Sequence, residues 1–135
     1  MVSRTASVFV GCAAVSTLLA PAAGAQPGSI DDRGFVDTAA RCDTPTASVA
    51  FGRTEFALIA ICRDSGRYEY RGVRLSDNAL LSATAVETAN GVFTVDNDAV
   101  TYTFSAKELA VSENGELVRA DPMVAYVEPR RAAED

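Results

Sequence analysis

The hydrophobic and polar residues of this chain follow the period of β-strands from about position 46 onward. In AVTYTF, residues 99–104, Val100, Tyr102 and Phe104 fall on one side and small polar residues on the other, which predicts a half-exposed antiparallel strand. The run from Thr54 to Arg63 is apolar at nearly every position, which predicts a central strand buried on both faces.

Residues 67–75, RYEYRGVRL, are predicted to form a hairpin with that apolar strand, because Asp64-Ser65-Gly66 between them is typical of a turn. Tyr68 and Tyr70 share one face of this strand and charged residues the other. Gly72 predicts a β-bulge, because the apolar residues after it fall on the side that carried the charges.

Further turn signals divide the rest of the chain into short segments. Residues 79–89 fit either a helix or a strand, and their β-branched residues favour a strand. Asn90-Gly91 is typical of a hairpin turn, Ser105 begins a capping-box spacing that predicts one helical turn, and Pro122 predicts that one strand ends and an edge or closing strand follows. The pattern predicts an all-β fold: a small antiparallel sandwich or barrel of about seven to nine short strands, mostly a meander, with one disulfide.

The N-terminus predicts an export signal. Residues 1–25 combine a basic start at Arg4, an apolar run and the small-residue cleavage site Ala23-Gly24-Ala25. A retained membrane anchor is the alternative, but the apolar run of 14 residues is short against the roughly 20 that span a bilayer. A lipid anchor on Cys12 is disfavoured because the apolar run continues beyond that cysteine.

These observations predict the domain organisation. Residues 1–25 are a signal peptide, residues 26–41 a flexible leader with few apolar side chains, residues 42–129 a single β-domain, and residues 130–135 a disordered charged tail. No stable membrane span is expected to remain after the signal is cleaved.

Cys42 and Cys62 are the cysteines left after cleavage, and an oxidising compartment favours their pairing. The bond would contribute on the order of 3 kcal/mol by closing its loop. Free thiols, a metal site or a redox pair are the alternatives. A metal site lacks histidine and a third cysteine as ligands, and redox pairs are expected at CxxC spacing.

Composition limits the partners and the chemistry. Removal of residues 1–25 leaves 11 basic and 18 acidic residues, a net charge of −7, which disfavours nucleic acid and anionic lipid as partners. The chain has no histidine, so the common triads cannot be assembled. Ser76-Asp77-Asn78 matches one motif of penicillin-recognising enzymes without the others, and Asp96-Asn97-Asp98 lacks the later ligands of a calcium loop. We therefore predict no catalytic, metal or cofactor site.

The hairpin strand carries the candidate binding residues. Aromatic residues on a strand can stack on sugars or peptides, and clustered arginines can dock carboxylates; the alternatives are that the tyrosines fill the core and that the arginines lie on a solvated face. The predicted binding face consists of Arg67, Tyr68, Tyr70, Arg71 and Arg74.

Four segments, FGRTEFALIAIC, YEYRGVRL, NDAVTYTFS and DPMVAYVEP, together resemble a group of small exported proteins and domains of uncharacterised function from mycobacteria and related actinobacteria. The resemblance covers roughly Cys42 to Pro129. It implies export and an envelope or extracellular setting, and it brings no activity or functional residue with it.

The prediction for function is an exported, non-enzymatic β-domain, secreted or held in the cell envelope, that binds an envelope or extracellular protein or glycan. The alternative is a small carboxylate-dependent envelope hydrolase, for which Glu87, Asp96 and Asp98 are the candidate acids. A structural or inhibitory protein that inserts the loop from Asp64 to Arg67 into a target is a third hypothesis, and nothing in the sequence separates it from the first.

Overall fold

The computed structural model describes residues 29–129, which form eleven β-strands. The predicted signal peptide and charged tail lie outside the described residues. Nothing within 29–129 is a helix long and apolar enough to cross a membrane. The strands are β1 (Ile30–Asp31), β2 (Gly34–Phe35), β3 (Ser48–Arg53), β4 (Ala57–Asp64), β5 (Arg67–Arg74), β6 (Leu80–Ala89), β7 (Val92–Asn97), β8 (Val100–Phe104), β9 (Glu108–Glu113), β10 (Glu116–Pro122) and β11 (Ala125–Val127).

Strands β3 to β10 form an antiparallel meander, and β11 returns to pair with β3. The resulting nine-stranded sheet therefore has β10 at one edge and β11 at the other. Only Met123 and Val124 separate these two strands, a step that spans at most about 11 Å. Nine strands laid flat would be about 38 Å wide, so the sheet must curl until its edges approach each other. The all-β, mostly meander prediction is confirmed.

Strand β6 divides the curled sheet into two halves. Its residues from Leu80 to Ala85 pair with β5, and those from Val86 to Ala89 pair with β7. We call β3, β4, β5 and β11 the first half and β7 to β10 the second half. The prediction that residues 79–89 form a strand is confirmed, and this strand pairs with both halves of the sheet.

An inner core fills the space between the two halves. Ile59 and Ile61 of β4 pack in one cluster with Phe93, Val95 and Phe104 of the second half. The ring centroid of Phe104 lies 5.7 Å from that of Tyr126 on β11, which brings the far edge of the first half against β8.

An outer core lies on the opposite face of the first half. Leu58 and Ala60 of β4 pack there with Phe51 and Val73, so β4 is buried on both faces, as its continuous apolar run predicts.

The burial of Val73 also explains why the hydrophobic pattern of β5 changes at Gly72. The β4–β5 register is regular from Ala57↔Arg74 to Asp64↔Arg67, so the predicted bulge is wrong. The face changes from charged to apolar because it enters the outer core.

Residues 29–41, which we call the cover, lie over this outer core. Phe35 and Ala40 are buried in it, and the rings of Phe35 and Phe51 meet edge to face with centroids 5.2 Å apart. The prediction that residues 26–41 form a flexible leader is therefore wrong from Ser29 onward. Few apolar side chains suffice here, because the surface to be covered is a small patch on three strands.

The disulfide between Cys42 and Cys62 is confirmed, with a Cα–Cα separation of 5.5 Å. It links the end of the covering segment to the end of β4, and both cysteines are buried.

The turns follow their sequence signals. Ser65-Gly66 and Asn114-Gly115 both have positive φ at both positions, as type I′ hairpin turns require. At Ser105 the predicted helical turn is replaced by a bend, in which the Ser105 hydroxyl accepts a hydrogen bond from the Lys107 amide.

Candidate functional site

The predicted binding face is divided between the two sides of β5. Strand alternation places Arg67 and Arg71 on the outer side and Tyr68, Tyr70 and Arg74 on the inner side. These five residues therefore cannot present one continuous surface.

The tyrosines of β5 pack into the inner core. Tyr70 is buried, with 3% of its surface exposed, and its ring centroid lies 6.0 Å from that of Tyr102. The half-buried Tyr68 meets Phe93 edge to face at 5.1 Å. This arrangement corresponds to the alternative in which the tyrosines fill the core. The Tyr70 hydroxyl also belongs to the cleft described below.

Two of the three arginines have structural partners. Arg71 donates a hydrogen bond of 2.9 Å from Nε to the Ala39 carbonyl, which ties β5 to the covering segment. Arg74 makes two hydrogen bonds to the Asp77 carboxylate, at 2.9 and 2.8 Å. This pairing holds the pKa of Asp77 down, at about 2, mainly through the side-chain hydrogen bond. Arg67 is exposed.

An open cleft of about 440 Å³ lies where the two halves of the sheet diverge. Phe56 and Leu80 form its rim and are 48% and 44% exposed. Its walls are mostly apolar, and a cleft of this size is in the range of small-molecule sites. The lining residues are Phe56, Ala57, Tyr70, Gly72, Val73, Arg74, Ala79, Leu80, Leu81, Asn97, Tyr102, Leu109, Val111, Arg119 and Asp121.

The Tyr70 hydroxyl is the buried polar group of this cleft. Its ring lies over Gly72, where an added Cβ would come within 2.6 Å of Tyr70 Cε1 and 2.9 Å of its Oη. Burial, assisted by Tyr102, raises the pKa of the Tyr70 phenol well above its ordinary value, so the group stays protonated. Glycine at position 72 thus leaves the space that brings the hydroxyl to the cleft.

The charged groups around the cleft are paired. Arg119 donates from Nε to Asp121 at 2.7 Å, and its guanidinium lies 4.3 Å from the centroid of the Phe56 ring. Arg74 is held by Asp77 as described above. The rim therefore carries cations whose charge is already balanced locally.

A second, polar cavity of about 470 Å³ lies beside the β4–β5 turn. Arg67 and Tyr68 line it, together with Glu69, which accepts a hydrogen bond from the Ser82 hydroxyl. The Arg63 guanidinium stacks 5.0 Å above the Tyr68 ring at the edge of this region. The site is lined mostly by polar side chains.

The candidate acids of the hydrolase alternative lie outside the cleft. Glu87 accepts a hydrogen bond from the Gly91 amide at 3.0 Å, and Asp96 accepts one from the Thr101 hydroxyl at 2.8 Å. Asp98 sits in the β7–β8 turn with positive φ. Across the described range 29–129, no three acidic or cysteine side chains are grouped so that they could hold a metal ion.

Sequence reasoning found Tyr70 and Arg74 and missed the rest of the cleft. The buried strand predicted from Thr54 to Arg63 includes Phe56, but β4 begins only at the next residue, so Phe56 precedes the strand and is half exposed. Arg119 gave no signal, since its contact with Phe56 joins residues from opposite halves of the sheet.

Comparisons with protein families, with curated proteins and with solved structures give no match for this chain. The resemblance to exported actinobacterial proteins therefore remains a prediction.

Proposed function

We propose that this protein is an exported, non-enzymatic binding module that works in the cell envelope or the extracellular space. The observation that carries the proposal is the apolar cleft, since an open cavity with exposed apolar rim residues is the usual form of a binding site. The site is set on paired strands and so is largely preformed, which reduces the ordering that binding would require.

The extracellular setting is supported by the buried disulfide and by the signal-like sequence of residues 1–25. The test is the intact mass of the protein from medium and envelope fractions, with thiol labelling. We expect a chain that begins at Gln26, lacks two hydrogens and takes up no label. Free thiols, or a lipid on Cys12, would contradict this setting.

Binding at the cleft is tested with phenylnaphthylamine, an uncharged probe that fluoresces in apolar sites. Leu80→Arg places a cation in the rim and is expected to weaken probe binding about tenfold, roughly 1.4 kcal/mol. Leu117→Arg is the matched control, because Leu117 is also an exposed leucine on a strand and does not line the cleft. Equal affinities in the two variants would remove the cleft as the binding site.

The carboxylate-dependent hydrolase remains an untested prediction that no observation favours. Screening envelope glycans against Glu87→Gln, Asp96→Asn and Asp98→Asn variants would test it. Hydrolysis that depends on these acids would overturn the binding module as the protein's role.

A further inference from the structure

We infer that the cleft takes an uncharged, largely apolar molecule that carries a hydrogen-bond acceptor, and that Tyr70 donates the bond to it. The inference rests on the proposed function, because it names the class of ligand for the same site. It follows from three features of the cleft: its apolar walls, the state of one hydroxyl, and the balance of charge at the rim.

The walls determine that most of the ligand is apolar. Leu81 of β6 and Leu109 and Val111 of β9 contribute apolar side chains to the walls, and Phe56 and Leu80 continue this surface to the rim. Each of these surfaces is stabilised when an apolar group displaces water from it. A glycan would have to place some of its hydroxyl groups, unpaired, against these walls.

The Tyr70 hydroxyl determines the polar part of the ligand. A buried tyrosine usually has a hydrogen-bond partner, and the hydrogen bonds formed within residues 29–129 include none to this hydroxyl. Within that range, Arg53 Nε is the one side-chain polar atom that is fully buried and has no hydrogen-bond partner. Tyr70 Oη is not fully buried in this sense. Tyr70 Oη is therefore open to the cleft, where a ligand can reach it.

A protonated phenol that lacks a partner offers a donor to an incoming acceptor. The buried environment keeps Tyr70 protonated, since ionisation in this site is disfavoured by desolvation. A carbonyl, ether or ester oxygen would complete its hydrogen bonding. The second tyrosine of the cleft, Tyr102, lies beside it with ring centroids 6.0 Å apart.

The rim determines that the ligand is uncharged. An anionic ligand such as a fatty acid would need a cation free to pair with it, and both arginines of the cleft are engaged. Arg74 is bound by Asp77 through two hydrogen bonds, and Arg119 is bound by Asp121. A cationic ligand would need one of these carboxylates in place of its arginine. An uncharged ligand leaves both pairs intact.

Three probes of nearly equal size test the inference: acetylnaphthalene, which has a carbonyl acceptor, ethylnaphthalene, which has none, and naphthoate, which is anionic. Their affinities are measured by NMR titration of the protein purified after expression of the full chain. We expect acetylnaphthalene to lose about fivefold in affinity in Tyr70→Phe, the contribution of one neutral hydrogen bond. Ethylnaphthalene should change less than twofold.

Tyr68→Phe is the matched control. It removes the same hydroxyl from the same strand and the same side, at a position that does not line the cleft. It should leave all three affinities unchanged. Tightest binding of naphthoate, or an equal effect of Tyr70→Phe on both uncharged probes, would overturn the inference and leave the cleft as a binding site. Failure of every probe to shift resonances of the cleft would overturn the proposed function with it.

Discussion

Strands β4 and β8 belong to the same sheet and differ in what covers them. Five consecutive residues of β4, from Leu58 to Cys62, are buried, whereas on β8 the buried residue is Phe104. Both strands contribute to the inner core. The difference arises on the outer face. The segment before Cys42 covers that face of β4, whereas no apolar cluster within residues 29–129 covers that face of β8.

This difference explains the two sequence patterns. Alternation along β8 reflects one covered face, and the continuous apolar run of β4 reflects two. A run of the second kind requires another layer, and here the chain supplies it from a segment that is itself poor in apolar residues. A strand that is apolar on both faces therefore indicates that another segment covers its second face, even when that segment has no strong hydrophobic pattern of its own.

The largest expected effect comes from placing a charge at a covered and at an uncovered position of the outer face. Ala60→Lys inserts an ammonium into the outer core, where Ala60 is fully buried, and is expected to destabilise the fold by about 4 kcal/mol or more. Thr84→Lys makes the same insertion at an exposed outer position of β6, opposite Glu69, and should stay within about 0.5 kcal/mol. Urea denaturation measures both. Equal losses would mean that the outer faces are covered alike.

Removal of the disulfide should have the next largest effect. Replacing Cys42 and Cys62 together by alanine is expected to lower the free energy of unfolding by about 3 kcal/mol, because the unfolded chain gains freedom. Hydrogen exchange sharpens the comparison. The Phe35 amide, bonded to the Ala40 carbonyl at 3.0 Å, should exchange faster, while amides of β8 change only as global stability does. Equal acceleration in both places would contradict a cover held mainly by the disulfide.

The strands and turns could be predicted from sequence because their causes are local. The period of two along β8 and the Asn114-Gly115 turn depend on neighbouring residues alone. The cover could not be predicted, since Phe35 is buried only by contacts with strands that follow later in the chain.

The candidate site was harder to predict than the fold, because curling creates it. The connection through Met123 and Val124 brings the sheet edges together, and no periodic pattern records that closure. The predicted face on β5 failed for a related reason. Arg71 looked free in the sequence, and its partner, the Ala39 carbonyl, is 32 positions away.

Two glycines at positive φ give a smaller, matched test of the comparison. At Gly34, with φ 131°, an added Cβ would lie 2.5 Å from the Ala40 carbonyl oxygen within the cover, so Gly34→Ala should cost about 2 kcal/mol or more. At Gly115, with φ 84°, a Cβ would meet nothing within 4 Å, and the backbone strain alone should cost about 1 kcal/mol. Thermal unfolding of both variants measures the difference. A larger loss at Gly115 would contradict the tight packing of the cover.

The smallest effect concerns one ion pair in each region: Asp31–Arg41 in the cover and Asp77–Arg74 beside the cleft. The partner arginine lowers the pKa of each aspartate below 3.8, and that of Asp77 falls to about 2. A folded-state pKa below the unfolded value means that each pair stabilises the fold above about pH 4 and that this contribution is lost as the pH falls through the folded-state pKa, which is about 2 for Asp77. Arg74 and Asp77 are exposed, and Asp31 and Arg41 are half-exposed, so the effect on global stability should be slight.

Carboxyl NMR titration resolves the two pairs individually. Arg74→Gln should return the pKa of Asp77 toward 3.8 and leave that of Asp31 unchanged. Arg41→Gln should do the reverse and, because Asp31 also accepts a hydrogen bond from the Arg33 amide, should leave part of its shift in place. Since the cover is also held by its disulfide and by the buried Phe35, the protection factors of its amides, which correct for the intrinsic pH dependence of exchange, should change little between pH 4 and 2. A large loss of protection there would show that the ion pair, and not the outer core, holds the cover in place.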